Sequence, residues 1–585
     1  MEVKIFNSMK WVALISIFVL GFLLRFWHFS VNPPSLNWDE VSLGYNAYSI
    51  LKTGKDEFGT YLPKNLRSLD DYKMPVYLYS TVASVSIFGL NDFAVRIPSA
   101  IFGLLTVILI YFFVKELYDD QVFIKLSDKK SVEEKQKLKY AGKTIAIISA
   151  VLLAIVPWHV QYSRMASEAN VGAFFLVAGA LTFLSAVRKK LWMLPLSVMC
   201  FGFAAYSYKS IEVISPLVGF MLVILYRKQL ITVRKKLPLI VSGVLVVLIG
   251  LSLVQDTFSS GVNIRIKGTS VFDTSDFNNA FSQNIEERQF DGTVDKDRFS
   301  GIFHNNRLVY AGTIIRGYLV HFSPSFWFFD YDQRQHPTPF VGLLYVWMLF
   351  FMPTGTYFVI KRFPKRSSII IFSWLLISPI PASITRDIPH AIRVLPILIP
   401  LIIITASGIF AVYEVLCKST IKRYLFVSVI FIFMVFSSAH YFHQYDTHLP
   451  FERSKDWVYG RKELVKYVEA NKAKYKKVVI STSLEWPHIF FLYYSRYDPV
   501  KYLAQGGTVS GGWGEERNHY DTYQFRKFNT SVDFLNLTVN DTLYAGLPKE
   551  FPSTIKPLSV IKYLNGDPAI WIVDGTSFSG QTVSK

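Results

Sequence analysis

Two adjacent acids, Asp39 and Glu40, begin a short segment whose pattern predicts an amphipathic helix. Asn37 is a favourable N-cap residue, and Glu40 three positions later completes the signature of a capping box. Apolar and aromatic residues then recur at helical spacing until Gly54, where we expect the helix to end. The helix dipole stabilises acids in a first turn, which explains the pair without any function. Alternatively, a carboxylate here would accept the proton of an attacking hydroxyl group.

Cationic side chains at other segment ends would suit an anion such as phosphate. Lys73 precedes a second apolar helix of about 15 residues, which is too short to span a membrane. Its ammonium group would either snorkel to a membrane interface or bind phosphate. The segment 384–393 contains Arg386, His390 and Arg393. Its arginines would contact either bulk lipid headgroups or the phosphate of a substrate.

Two further groups of polar residues are candidates for substrate binding. Arg164 and Glu168 are four residues apart and share a helix face, either as a weak ion pair or as part of a site. Asp330, Arg334 and His336 follow an aromatic stretch. They would line a sugar or phosphate site, although residues of a surface turn have the same composition.

The elements that position these residues are mostly membrane spans. Of 585 residues, 51% are hydrophobic and 18% charged, whereas soluble proteins have about 25% charged residues. No cleavage site follows the first apolar run, so we expect an uncleaved anchor rather than a signal peptide. Runs of about 20 apolar residues mark spans, and we predict eleven: 11–29, 96–117, 142–158, 170–187, 191–207, 211–226, 237–254, 339–360, 367–384, 394–416 and 424–442.

The positive charges between the spans indicate the orientation. The N-terminus and five segments between spans together hold 24 lysines and arginines. Three short segments on the opposite side of the spans hold only four. Such an excess marks the cytoplasmic side, so we expect a cytoplasmic N-terminus and an extracytoplasmic C-terminus. The asymmetry also explains the net charge of +19 without nucleic acid as a partner. The basic segments are 1–10, 119–143, 188–190, 227–236, 361–366 and 418–423, and the others are 158–169, 207–212 and 384–393.

Three long polar segments, 30–95, 255–338 and 443–585, are predicted on the outer face. In 443–585 helix and strand patterns alternate, which indicates a soluble α/β domain. We therefore predict an α-helical polytopic membrane protein. A transmembrane catalytic domain would occupy 1–442, and an extracytoplasmic α/β domain would occupy 443–585.

The order of the motifs resembles that of membrane glycosyltransferases of the GT-C fold. It is similar in particular to glycosyltransferase family 39, the protein O-mannosyltransferase and aminoarabinose lipid A transferase group. The family pattern is Asp-Glu, then Lys-Pro-Pro, then Arg-Leu-Pro-Ser-Ala. Here the second motif reads Lys73-Met74-Pro75, so one proline is missing, and the third reads Arg-Ile-Pro-Ser-Ala over 96–100. The resemblance covers about the first third of the chain by motif and the remaining spans by topology.

This resemblance implies an inverting hexosyl or pentosyl transferase of the outer membrane face. A sugar would pass from a polyprenyl-phosphate carrier to a hydroxyl group of a lipid, glycan or protein acceptor. Asp39 would be the base, Glu40 would support it, and Glu168 matches the second acid of the family. Several carboxylates would also suit Mg²⁺ or Mn²⁺, although the sequence requires no cofactor. The cations that would balance the charge of the leaving phosphate are Lys73, Arg386 and Arg393.

Two other classes remain open. A polytopic transporter or flippase of lipids or glycans also has many spans, but transporters usually place charges near the bilayer midplane on broken helices. The charges of this chain gather instead at predicted outer span ends. An outer-face glycan ligase or polymerase shares the large outer loops, and only the resemblance argues against it.

Overall fold

The computed structural model describes residues 2–69, 71–119, 132–232, 236–257, 270–293, 300–329, 338–512, 515–516, 518–528, 533 and 541–578. The chain divides into two compact units. The first unit comprises residues 1–27, 99–163 and 167–442, and the second comprises 28–98, 164–166 and 443–585.

The first unit is helical throughout its described part, as its apolar runs predict. Short 3₁₀ turns lie at Val271–Asp273, Val320–Phe322, Val346–Phe351 and Leu395–Ile397. The α-helices are Glu2–Phe26, Asp92–Tyr118, Val132–Ile155, Pro157–Ser163, Glu168–Arg188, Met193–Ala205, Lys209–Ile231, Leu237–Thr257, Ser275–Thr293, Ser300–Phe303, Asn306–Leu319, Pro324–Phe328, Met352–Arg362, Lys365–Ile377, Leu398–Leu416 and Thr420–His443.

Among the described residues, six helices are long and apolar enough to cross a membrane, and one bent helix pair raises this number to seven. A multi-pass membrane protein is therefore confirmed, whereas the predicted number of eleven spans is not. The difference arises in part at 191–207, 339–360 and 367–384, where the apolar helices are shorter or broken. Met193–Ala205, for example, has 13 residues. That length gives about 20 Å, whereas the hydrocarbon core is about 30 Å thick. The predicted span 11–29 overlaps the 25-residue helix Glu2–Phe26.

A buried arginine stabilises the bend in the third predicted span. The helix breaks between Tyr140–Ile155 and Pro157–Ser163 with a bend of 58°. Because Pro157 has no N–H group, the carbonyl group of Leu153 loses its helical donor. The Arg25 guanidinium donates to the carbonyl oxygens of Leu153 at 3.1 Å and Ala154 at 3.0 Å. Arg25 also contacts His159 Nδ1 at 2.7 Å, so this charge inside an apolar segment has a structural role.

Two glycines allow close packing in the interior of the first unit. A Cβ atom on Gly355 would lie 1.9 Å from the carbonyl oxygen of Ile404, and one on Gly408 would lie 1.9 Å from that of Phe351. The helices Met352–Arg362 and Leu398–Leu416 therefore touch backbone to backbone. By contrast, the helix Thr420–His443 is largely exposed, as expected for a helix that faces lipid.

The second unit combines helices with two sheets, which confirms the predicted α/β character of 443–585. A hairpin pairs β1 (Leu66–Ser68) with β2 (Asp71–Lys73). The large sheet has the order β4-β5-β3-β6-β8-β7 and consists of β3 (Lys477–Ile480), β4 (His519–Tyr520), β5 (Tyr523–Phe525), β6 (Thr542–Gly546), β7 (Ser559–Lys562) and β8 (Pro568–Asp574). The helices are Trp38–Thr53, Pro75–Phe88, Leu449–Arg453, Arg461–Asn471, Pro487–Tyr494 and Pro499–Ala504, with a π-helical turn at Gln444–His448 and 3₁₀ turns at Lys472–Lys474, Thr482–Leu484, Pro548–Glu550 and Gly575–Phe578.

The second unit does not coincide with the segment 443–585, because residues 28–98 belong to it as well. Buried contacts join these two parts of the chain. Thr508 Oγ1 donates to Glu57 Oε2 at 2.6 Å, and the hydroxyl group of Tyr45 donates to the carbonyl oxygen of Tyr497 at 3.3 Å. The first long polar segment and the C-terminal segment thus form one compact body.

Candidate active site

The helix Trp38–Thr53 begins with the predicted capping box. The Asn37 side chain accepts from the backbone N–H group of Glu40 at 2.9 Å, and the Glu40 carboxylate accepts from that of Asn37 at 3.2 Å. Gly54 ends the helix in the left-handed conformation with φ of 73°. The local sequence therefore determines that Asp39 and Glu40 occupy adjacent positions in the first turn.

Glu40 is a buried structural partner of Arg96. Its side chain is 1% exposed, and Arg96 donates to it from Nε and Nη2, each at 3.0 Å. With Asn37 N and Ala166 N, the carboxylate accepts four hydrogen bonds. A carboxylate has about four lone-pair sites. No site then remains for a substrate proton.

Arg96 is fully occupied as well. Its three remaining N–H groups donate to the carbonyl oxygens of Phe29, Pro33 and Ser35 at 3.1, 2.9 and 2.6 Å. A guanidinium group has five N–H donors, so every one of them has a partner. The Glu40–Arg96 pair thereby ties the first turn of the helix to the backbone before it.

Asp39 lies in a different environment, next to Lys73. The hairpin places Lys73 at the end of β2, opposite Leu66 of β1. Lys73 Nζ lies 2.9 Å from Asp39 Oδ1. The lysine side chain is only 7% exposed, whereas that of Asp39 is 50% exposed. Of the two adjacent acids, Asp39 is therefore the one that solvent reaches.

Arg164, a candidate substrate-binding residue, is buried within the second unit. Its Nη2 atom lies 3.4 Å from the carbonyl oxygen of Asn32, and its guanidinium carbon lies 4.8 Å from the centre of the Tyr445 ring. Two residues later, the N–H group of Ala166 donates to Glu40. The segment 164–166 thus supports the helix start, and these contacts are structural.

The other predicted site residues belong to the first unit. Glu168 is the first residue of the helix Glu168–Arg188 and is partly buried. Arg393 donates from Nη1 to Thr385 Oγ1 at 2.8 Å and to the carbonyl oxygen of Arg386 at 2.5 Å. Asp330, Arg334 and His336 lie outside the described residues.

His390 in the same loop is buried and contacts another histidine. Its backbone N–H group donates to His321 Nε2 at 3.2 Å, while His321 Nδ1 contacts the carbonyl oxygen of Gly317 at 2.7 Å. Burial and the nearby Arg393 lower the pKa of His321 to about 4, although the hydrogen bond with the Gly317 carbonyl oxygen acts in the opposite direction. His321 is therefore neutral at physiological pH, with the proton on Nδ1.

A buried carboxyl group in the second unit was not among the predicted site residues. Glu57 is 1% exposed and accepts from Asn46 Nδ2 at 2.8 Å and from Thr508 Oγ1 at 2.6 Å. Burial raises its pKa to about 7, although these hydrogen bonds act in the opposite direction. Nothing in the sequence distinguishes Glu57 from a surface acid, because its partner Thr508 lies 451 residues away along the chain.

The described residues contain no group of three or more His, Cys, Asp or Glu side chains that would hold a metal ion. The carboxylate of Glu40 has four donors, and that of Asp39 has an ammonium group beside it. These two acids therefore do not fit a divalent cation in this arrangement.

Comparisons with known proteins support the fold. Residues 15–124 match the family model described as dolichyl-phosphate-mannose-protein mannosyltransferase. The chain is similar to ArnT from Cupriavidus metallidurans in the apo state, with a TM-score of 0.51, 11% identity and coverage of 100% of both chains. The same protein bound to undecaprenyl phosphate gives a TM-score of 0.50 and 12% identity over 98% of this chain and 100% of the other. The chain has the GT-C fold. The predicted GT-C-like architecture is thereby confirmed.

A more distant likeness is to the oligosaccharyltransferase AglB from Archaeoglobus fulgidus, in complex with an inhibitory peptide and a dolichol-phosphate. Its TM-score is 0.48 at 14% identity, over 84% of this chain. The present chain spans 64% of the length of that protein. No curated protein matches the sequence.

Proposed function

We propose that this protein is an integral-membrane glycosyltransferase that moves a sugar from a polyprenyl-phosphate carrier to a hydroxyl group of an acceptor on the outer membrane face. The observation that carries the proposal is the ion pair between half-exposed Asp39 and buried Lys73. Both residues lie within the stretch that matches the mannosyltransferase family model. ArnT, which has the same fold, binds undecaprenyl phosphate.

The ion pair couples donor binding to activation of the base. In the resting protein, the Lys73 ammonium group lies 2.9 Å from the Asp39 carboxylate and forms an ion pair with it. The phosphodiester of the donor carries one negative charge, as the carboxylate does, and it gains a second charge as its bond to the sugar breaks, so the lysine moves towards the phosphate in the transfer step. Once the lysine contacts phosphate, Asp39 is free to accept a proton.

In the transfer step, the acceptor oxygen bonds to the anomeric carbon as its proton moves to an Asp39 oxygen. The bond between the anomeric carbon and the phosphate oxygen breaks, and its electron pair leaves with the carrier phosphate. Lys73 balances this negative charge. Attack opposite the leaving phosphate inverts the anomeric carbon.

Three residues of the first unit remain predictions from the sequence alone. Arg386 and Arg393 occupy a loop between apolar segments, where topogenic charge does not explain them. We assign them to the carrier phosphate, and Glu168 to the orientation of the acceptor. The uneven distribution of lysine and arginine supports an extracytoplasmic location for 443–585 and for the site.

The test compares cell-surface glycans, by mass spectrometry, between cells that have the protein and cells that lack it. A glycan should be lost without the protein and return with the wild type. Asp39→Asn should reduce its formation by about 10²–10⁴-fold, because an amide does not accept the proton. Asp71→Asn is the matched control, since it changes an acid of the hairpin that carries Lys73 and should restore the glycan fully. Full restoration by Asp39→Asn would contradict the proposal.

A further inference from the structure

Two tryptophans form a partly exposed aromatic pair beside the proposed base. Trp38 directly precedes Asp39 in the first helical turn. Its ring centre lies 5.5 Å from that of Trp486, and the two ring planes are inclined by 51°. Neither side chain is buried. The pair therefore forms an apolar surface that solvent reaches, beside the ion pair of Asp39 and Lys73.

The backbone at Trp486 adopts an unfavourable conformation. Glu485 has φ of 55° and Trp486 has φ of 46°, a region that residues with bulky side chains rarely occupy. The ring is held in place because Trp486 Nε1 donates to the carbonyl oxygen of Gly511 at 2.8 Å. Strained backbone that surrounding contacts maintain is concentrated at functional sites.

The same contacts connect Trp486 with the hairpin that carries Lys73. A Cβ atom on Gly511 would lie 1.8 Å from the carbonyl oxygen of Leu69. The backbone around Gly511 therefore touches the turn between β1 and β2. Because Lys73 in turn contacts Asp39, the aromatic pair and the ion pair belong to one connected assembly.

We propose that Trp38 and Trp486 bind the pyranose ring of the donor sugar. This inference rests on the proposed function and names the part of the donor that the second unit recognises. The sugar is bonded directly to the phosphate that Lys73 would bind, so its ring lies next to the ion pair. A pyranose presents an apolar C–H face, which an indole ring covers favourably. The C-terminal segment thereby contributes a specificity residue, Trp486.

The experiment measures binding of two kinds of carrier to the full-length protein. One is bare undecaprenyl phosphate, and the other is undecaprenyl phosphate that carries mannose, glucose or galactose. Trp486→Leu should weaken binding of the preferred sugar-bearing carrier by about 2- to 10-fold, the range of an aromatic contact. Binding of the bare carrier should not change. Trp486→Phe keeps a ring and should retain most of the affinity.

Trp571→Leu is the matched control, because Trp571 also belongs to an aromatic pair of the second unit, with Phe551. It should leave the binding of both carriers unchanged. The inference is overturned if the wild type prefers no sugar-bearing carrier, or if Trp486→Leu weakens both carriers equally or neither. Failure of the wild type to bind bare undecaprenyl phosphate would instead contradict the proposed function.

Discussion

Replacing Glu40 by Gln should destabilise the second unit without a specific effect on chemistry, in contrast to Asp39→Asn. The Glu40 carboxylate accepts four hydrogen bonds and faces an arginine with 0% exposure. A glutamine keeps one acceptor oxygen, places an amide donor against two of the four donors, and leaves the guanidinium charge unpaired.

The expected magnitude follows from this burial. Removing one partner of a buried ion pair costs about 3–5 kcal/mol. For a unit of about 150–250 residues, 1 kcal/mol corresponds to about 2–4 °C in the unfolding midpoint. Glu40→Gln should therefore lower the midpoint of the second unit by about 6–20 °C. Asp39→Asn should cost only a few tenths of a kcal/mol, because Asp39 is half exposed.

The assay is thermal unfolding of the purified protein in detergent, followed by circular dichroism and by protease resistance of the second unit. Lys462→Met is the matched control, since Lys462 and Asp92 form an ion pair at 2.9 Å in the same unit. Lys462 is 57% exposed, so its loss should cost less than about 1 kcal/mol. A Glu40→Gln protein with a wild-type midpoint and no transferase activity would refute the reasoning and make Glu40 the catalytic base.

Three further outcomes are expected. The pKa of Glu57 is raised from 4.5 to about 7 in the folded protein. Between these two values the folded state holds a proton on Glu57 that the unfolded state has lost. The free energy of unfolding should therefore fall as the pH rises through this range. Glu57→Gln should flatten this dependence in unfolding midpoints measured between about pH 5 and about pH 8. Gly355→Ala should lower the free energy of unfolding of the first unit by at least about 1–3 kcal/mol, because the new Cβ meets backbone. Gly312→Ala, with no atom within 4 Å of its Cβ, should be neutral or stabilising. Arg386→Ala should weaken binding of undecaprenyl phosphate by about 10- to 150-fold, the value of a charge-assisted contact, and unchanged affinity in a lipid-binding assay would remove it from the site.

Local patterns predicted the elements well where neighbouring residues decide the structure. The capping box of Asn37 and Glu40 and the stop at Gly54 depend only on side chains within one segment, and both were predicted. The helix that follows Lys73 begins at Pro75, as its sequence indicates. The helices and strands at the start of the C-terminal segment were predicted for the same reason. The number of spans was not, because hydropathy does not show where a packed apolar helix breaks.

The sequence by itself determined that Asp39 and Glu40 lie in the first turn of one helix, because a capping box needs no distant partner. It did not separate their roles. Tertiary structure decided that Glu40 is saturated by Arg96 and the backbone, while Asp39 faces solvent beside Lys73. It also brought Trp486 to Trp38 and Thr508 to Glu57, across more than four hundred residues of chain. Burial and hydrogen-bond saturation depend on which distant segments meet, and no local pattern contains that information.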